Sequence, residues 1–290
     1  MYRTSFLSKD QPTTSVTTIL VPYNATTDRL LTLGYFEDAN PQKCEPSYTL
    51  RAVDAPYAPE LNVVGWVFGG TPTHLEDLIR YINKKPESGL IMAGMESMRA
   101  TYPTFDKVLK QHGISNLSAA LEFARTHCQL DVVDRYKNIG IFSKNWTSLG
   151  QDLFKNPAVN KAVGAQVLGQ PDADYPSVPI LMAHGKSDEI VPFDSARETF
   201  SNWCSKGLNG EFLSFTYANA THEASEISLT VPAFKWLSKR FNGTDLPFGC
   251  SSHTDDEFVK PNTYNATLKD VVETIEDLLG RKVGPDHIIL

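Results

Sequence analysis

Two short apolar segments, each running into a polar loop, constrain this chain more than any other feature. Residues 178–183 are apolar and lead through His184-Gly185 into Lys186-Ser187-Asp188-Glu189-Ile190-Val191-Pro192. Residues 211–217 lead into Ala220-Thr221-His222-Glu223. Apolar runs closed by glycine and polar turn residues read as strands. Helical text is expected from Ser195 and again from Val231, where Pro232 leads it. Strands alternating with helices at about 30 residues per unit build a parallel sheet. Residues 61–68 are valine-rich and closed by Gly69-Gly70, the pattern of a strand buried on both faces. The expected fold class is therefore α/β.

The two loops present an acid and a base. Asp188 as a plain turn residue and His222 as a water-exposed loop histidine are the bland alternatives. Their positions after strands favour instead the acid and base of an acyl-transfer triad, in which the carboxylate orients the imidazole and stabilises its protonated form. His184 is expected to brace the turn by hydrogen bonds. In the chain order nucleophile, acid, histidine, the nucleophile sits on a G-x-S-x-G elbow. No such pentapeptide occurs in the 290 residues. Ser47 and Ser97 lack flanking glycines, and Ser187 lies too close to Asp188 in the same loop. No nucleophile is assigned, and a histidine–aspartate pair alone is expected to do little beyond weak general-base work.

Longer stretches carry a resemblance. Ser15-Val16-Thr17-Thr18-Ile19-Leu20-Val21-Pro22-Tyr23-Asn24, Cys44-Glu45-Pro46-Ser47-Tyr48 and Tyr57-Ala58-Pro59-Glu60-Leu61-Asn62-Val63-Val64-Gly65 come first, followed by Gly69-Gly70-Thr71-Pro72. The Asp188 segment, Asn202-Trp203-Cys204, the His222 loop, Pro232-Ala233-Phe234-Lys235-Trp236-Leu237 and Phe248-Gly249-Cys250 continue it in order. With these residues the chain resembles the fungal secretory lipases, α/β-hydrolases acting on triacylglycerols and related esters. The resemblance implies hydrolysis of acylglycerols in lipid catabolism: a serine attacks the ester, His222 takes and returns its proton, and Asp188 orients His222. It implies no cofactor, a secreted setting, an ester-lipid substrate and a monomer. The rival reading is a non-catalytic remnant that binds lipid or another protein through an apolar cap.

The departure is equally specific. In the family a long stretch with the oxyanion loop and the serine elbow separates the Cys44 and Tyr57 motifs, whereas only residues 49–56 stand there here. Roughly 100 residues, about three βα units, are expected to be missing, along with an N-terminal portion. The sheet is thus expected to be an α/β-hydrolase-type parallel sheet, truncated, with an inserted helical cap. Its core would be residues 1–72 and 176–250, the cap 73–175, and the tail 251–290, with a helix over 266–279. Loss of central strands would leave residues 61–68 and 178–183 short of hydrogen-bond partners, at on the order of 1–3 kcal/mol for each unpaired buried group. Residues 15–35 read as a hairpin-like edge.

Composition narrows the partners. A net charge of -7 and a pI near 5.5 argue against nucleic acid, which needs clustered lysine and arginine. No apolar run approaches the roughly 20 residues that span a bilayer, and Met1 to Phe6 lack the apolar stretch of a signal peptide. No H-E-x-x-H or C-x-x-C suggests a metal site. Cys44, Cys128, Cys204 and Cys250 allow three pairings, or four free thiols in a reducing compartment; the resemblance favours Cys204 with Cys250 and Cys44 with Cys128. N-x-S/T triplets stand at Asn24, Asn116, Asn145, Asn219, Asn242 and Asn265, and Asn219, so near His222, is expected to stay unmodified.

Overall fold

A computed structural model describes residues 63–169, 175–217 and 220–256, with the backbone of three earlier strands. Cys44, Asn219 and the expected helix over 266–279 lie outside the described residues. The chain divides into two compact units. One includes Thr73–Val167; the other includes Thr27–Leu33, Ala52–Pro72 and Leu168–Leu290.

Strands β1 (Tyr2–Ser5) and β2 (Pro12–Ser15) form an antiparallel pair. The main sheet joins β3 (Leu30–Leu33), β4 (Val63–Gly69), β5 (Ile180–Gly185), β6 (Gly210–Phe215) and β7 (Cys250–Asp255) in that order, every neighbour parallel. Two expectations change here. Among the described residues Leu30–Leu33, read as part of a hairpin-like edge, is an edge strand that runs parallel to β4. β4 and β5 are also not short of partners: β3 and β5 flank the one, β4 and β6 the other. The strands have closed ranks, so their backbone groups exchange ladder bonds instead of facing an unpaired edge. The last strand, Cys-Ser-Ser-His-Thr-Asp, extends the sheet past the expected core boundary at residue 250; it is polar and largely exposed, so no apolar period announces it.

Side chains of β5 point alternately to two layers, as a pleated strand requires. Ile180 and Met182 pack with Trp66, Ala196, Phe200, Trp203, Leu208 and Phe212, on the side of helix α7 (Phe193–Ser205). Leu181 and Ala183 pack with Val67, Phe215, Leu229, Ala233, Trp236 and Leu237, on the side of helix α8 (His222–Phe241). A helix on each face gives the three layers of the α/β class. The Trp236 ring packs close on β4 because position 65 is glycine: a Cβ there would sit 2.7 Å from the Trp236 ring. A disulfide from Cys204 to Cys250 ties the end of α7 to the start of β7. Cys128 is also disulfide-bonded.

Over Thr73–Val167 the other unit is helical, with α1 (Leu75–Ile82), α2 (Leu90–Thr101), α3 (Pro103–His112), α4 (Ser115–Thr126), α5 (Gln129–Arg135) and α6 (Pro157–Gly164). Leu78, Ile79 and Ile82 form the buried stripe of the first, three and four residues after Leu75 and one turn on, as one face of a helix requires. Among the described residues no helix is long and apolar enough to cross a membrane.

Candidate acid-base site

Asp188 follows β5 by three residues, and His222 follows β6 in the chain. Parallel strands bring their C-terminal ends to one edge of the sheet, where α/β proteins place their chemistry. The His222 Nδ1–H donates to Asp188 Oδ2 at 2.9 Å. Asp188 is 2% exposed and His222 8%, so the bond is shielded from water and stronger for it.

Asp188 is fixed from all sides. Its Oδ1 accepts from the backbone N–H groups of Ile190 at 2.9 Å and Val191 at 2.7 Å. Its Oδ2 accepts from His222 and faces His184 Nε2 at 3.2 Å. His184 Nε2 also lies 3.1 Å from the Val191 carbonyl. Both neighbours of that nitrogen accept, so Nε2 carries the proton; Nδ1 is buried with no partner. The ring meets Phe193 edge-on at 5.8 Å. Burial alone would raise the Asp188 carboxyl, but the hydrogen bonds from His184 and His222, with the His222 charge, hold it well below the usual carboxylate range. For His222, burial works against the charged ring, and the Asp188 hydrogen bond and charge outweigh it, with Glu226 and Glu189 adding, so its pKa is raised.

His222 is not in a loop. It is the first residue of α8, ten positions before the proline expected to lead a helix; Pro232 lies inside. Thr221 supplies the reason, since its hydroxyl accepts from the Ala224 N–H as an N-cap. The positive end of a helix opposes a protonated ring at this position. Glu189 offsets it, accepting the His222 backbone N–H at 3.1 Å. Glu226, one turn along, is partly buried; burial raises its carboxyl, the charge of His222 lowers it, and those of Asp188 and Glu223 raise it further.

Two glycines make room. Gly70, at φ +51°, lies under the imidazole; a Cβ there would come within 2.5 Å of His222 Cε1. Gly185 lets the start of α8 close on β5, since a Cβ would meet Ser225 Oγ at 2.0 Å and the Ala220 carbonyl at 2.2 Å. Glu189 and Gly70 were not singled out as site residues from the sequence. Glu189's adjacency to Asp188 and the Gly69-Gly70 stop after β4 were the signals present. Ser187 is exposed in the loop beside Asp188, and Ser97 is exposed on a helix of the other unit; Ser47 lies outside the described residues. Among the described residues no group of three histidine, cysteine or acidic side chains could hold a metal ion.

The arrangement is a carboxylate–imidazole pair able to take a proton at His222 and to stabilise the resulting charge. A family model described as secretory lipase matches residues 47–247. Secreted triacylglycerol lipase LIP2 of Malassezia globosa is 29% identical, with 99% of this chain and 82% of that protein covered. Its alignment runs over 372 residues against 290 here, so the relative carries positions with no counterpart in this chain. Secreted triacylglycerol lipase LIP5 of Malassezia furfur is 32% identical, covering 81% of this chain and 62% of that protein. The crystal structure of Candida antarctica lipase A in its closed state matches with TM-score 0.65 at 24% identity, covering 80% of this chain and 56% of that one. The chain thus spans just over half of that solved lipase, and the likeness establishes an α/β-hydrolase fold. The match across residues 47–247, most of both compact units' described length, makes this chain a member of the secretory lipase family.

Proposed function

We propose that this chain belongs functionally to carboxylic ester hydrolysis, acting on acylglycerols in lipid catabolism, and that Asp188 and His222 are its acid and base. The buried 2.9 Å bond between them is the observation that carries this reading. In the Ser-His-Asp scheme the ring's other nitrogen, Nε2, takes the proton of an attacking hydroxyl and delivers it to the leaving alcohol. No G-x-S-x-G stands in the sequence, so the pair has no nucleophile of its own and the chain turns over esters poorly. Lineage supports the substrate class, since the similar proteins are secreted triacylglycerol lipases. A secreted monomer is proposed with it, supported by the Cys204–Cys250 disulfide, as oxidising compartments keep such bonds. The rank of triplets at asparagine adds N-glycans to that setting.

A fluorophosphonate probe, which bonds only to an activated nucleophile, tests the reading. The expected result is no adduct on the folded chain. An adduct mapped to a serine and lost in His222→Ala would contradict the lack of a nucleophile, and an adduct kept in His222→Ala would contradict His222 as the base. The missing elbow favours one second reading, a non-catalytic scaffold that binds ester lipid.

A further inference from the structure

Three of the N-x-S/T triplets fall within described residues, at Asn116, Asn145 and Asn242, and the structure distinguishes them. We propose that Asn242 is an N-glycan acceptor site; the proposal rests on the secreted reading above. Helix α8 ends at Phe241, and the chain leaves it through a turn whose backbone is self-sufficient. Gly243 N–H donates to the Arg240 carbonyl at 3.1 Å and Thr244 N–H to the Lys239 carbonyl at 2.9 Å, with Gly243 at φ +70°. These are the two bonds of a Schellman stop, and neither uses a side chain of the triplet. Asn242, Gly243, Thr244 and Asp245 are all exposed, and a Cβ built on Gly243 meets nothing within 4 Å. Both residues that carry the triplet's amide and hydroxyl are therefore open to solvent.

The other two triplets lack this combination. Asn116 and Ser118 both lie within the helix Ser115–Thr126, where residues two apart do not face each other. The Asn116 Nδ2 also donates to the Asn145 carbonyl at 3.2 Å. At Asn145 the hydroxyl partner, Thr147, is 1% exposed and its Oγ1 accepts the Leu149 N–H at 3.2 Å. The co-reactant at Asn242 is an oligosaccharide linked to a lipid diphosphate. The amide Nδ2 bonds to the sugar C1, the C1–O bond to the diphosphate breaks, the bonding pair leaves with the lipid diphosphate, and the amide proton passes to a base. No oxidation or reduction occurs.

The test expresses the full chain in yeast behind a supplied secretion leader. The peptide holding Asn242 is followed by mass spectrometry after enzymatic deglycosylation in heavy-oxygen water. The expected result is heavy-oxygen label at Asn242, with one glycoform step lost in Asn242→Gln and in Thr244→Val but kept in Thr244→Ser. Unchanged circular dichroism shows that the variants fold. An unlabelled Asn242 in secreted chain with Cys204 and Cys250 oxidised overturns the proposal. Because the leader is supplied, that result counts against the site alone. The secreted reading fails separately, if the chain's own host yields Cys204 and Cys250 as free thiols.

Discussion

Asp188 carries the electrostatic weight of the site, and pH is the way to see it. Its lowered carboxyl contributes stability that is present above about pH 4 and is lost as pH falls toward its native value. His222 is raised, so its contribution is full below about pH 6.5 and is lost as pH rises through its native value. The stability difference between the native chain and Asp188→Asn should therefore peak between those limits, at about 3–5 kcal/mol as for a broken buried pair, and shrink on both sides. Urea unfolding from pH 3 to 9 checks this, and a flat difference would contradict it. Gly70→Ala should displace the imidazole, because the added methyl meets Cε1 and the residue sits at positive φ; a cost of about 1–3 kcal/mol is expected, read by unfolding and by the His222 ring resonances. Asp188 and His222 were legible in the sequence because each follows an apolar strand. The capping by Glu189 and the second imidazole on Asp188 Oδ2 were harder to read, since they depend on how a loop folds back on itself.

At the scale of elements, the strands that pack on both faces were legible, and those defined by pairing alone were not. β4, β5 and β6 announce themselves by apolar runs; β7 is polar, and its place comes from its ladder with β6 and the disulfide at its first residue. The start of α8 was misread because Pro232 looks like a helix leader, whereas the Thr221 cap sets the boundary. Replacing Cys250 with serine should lower stability by about 2–4 kcal/mol and speed proteolysis near β7, measured by unfolding and by peptide mapping. Gly65→Val should force the Trp236 ring off β4 at about 1–3 kcal/mol. The indole N–H bond to Glu211 Oε1, at 3.2 Å, would go with it, so Trp236 fluorescence should shift. An unshifted emission with full stability would contradict that packing.

Over the whole molecule, a member of the family shorter than the stretch it matches in its relatives pairs its described strands in one parallel sheet. Unpaired buried groups at about 1–3 kcal/mol each would have consumed a typical stability of about 5–15 kcal/mol, and β3 at the edge of β4 removes that penalty. The sequence could not foretell it, because Leu30–Leu33 is short and its partner lies beyond a gap in the family pattern. What the molecule holds is a buried Asp188–His222 hydrogen bond; what its sequence lacks is a G-x-S-x-G elbow. The most direct measurement is hydrolysis of a short p-nitrophenyl ester and an emulsified triglyceride by the purified chain, shown folded by circular dichroism, beside His222→Ala. The expected rate is no higher than that of the variant. A rate well above it, abolished by His222→Ala, would mean that another residue serves as nucleophile and would contradict the account.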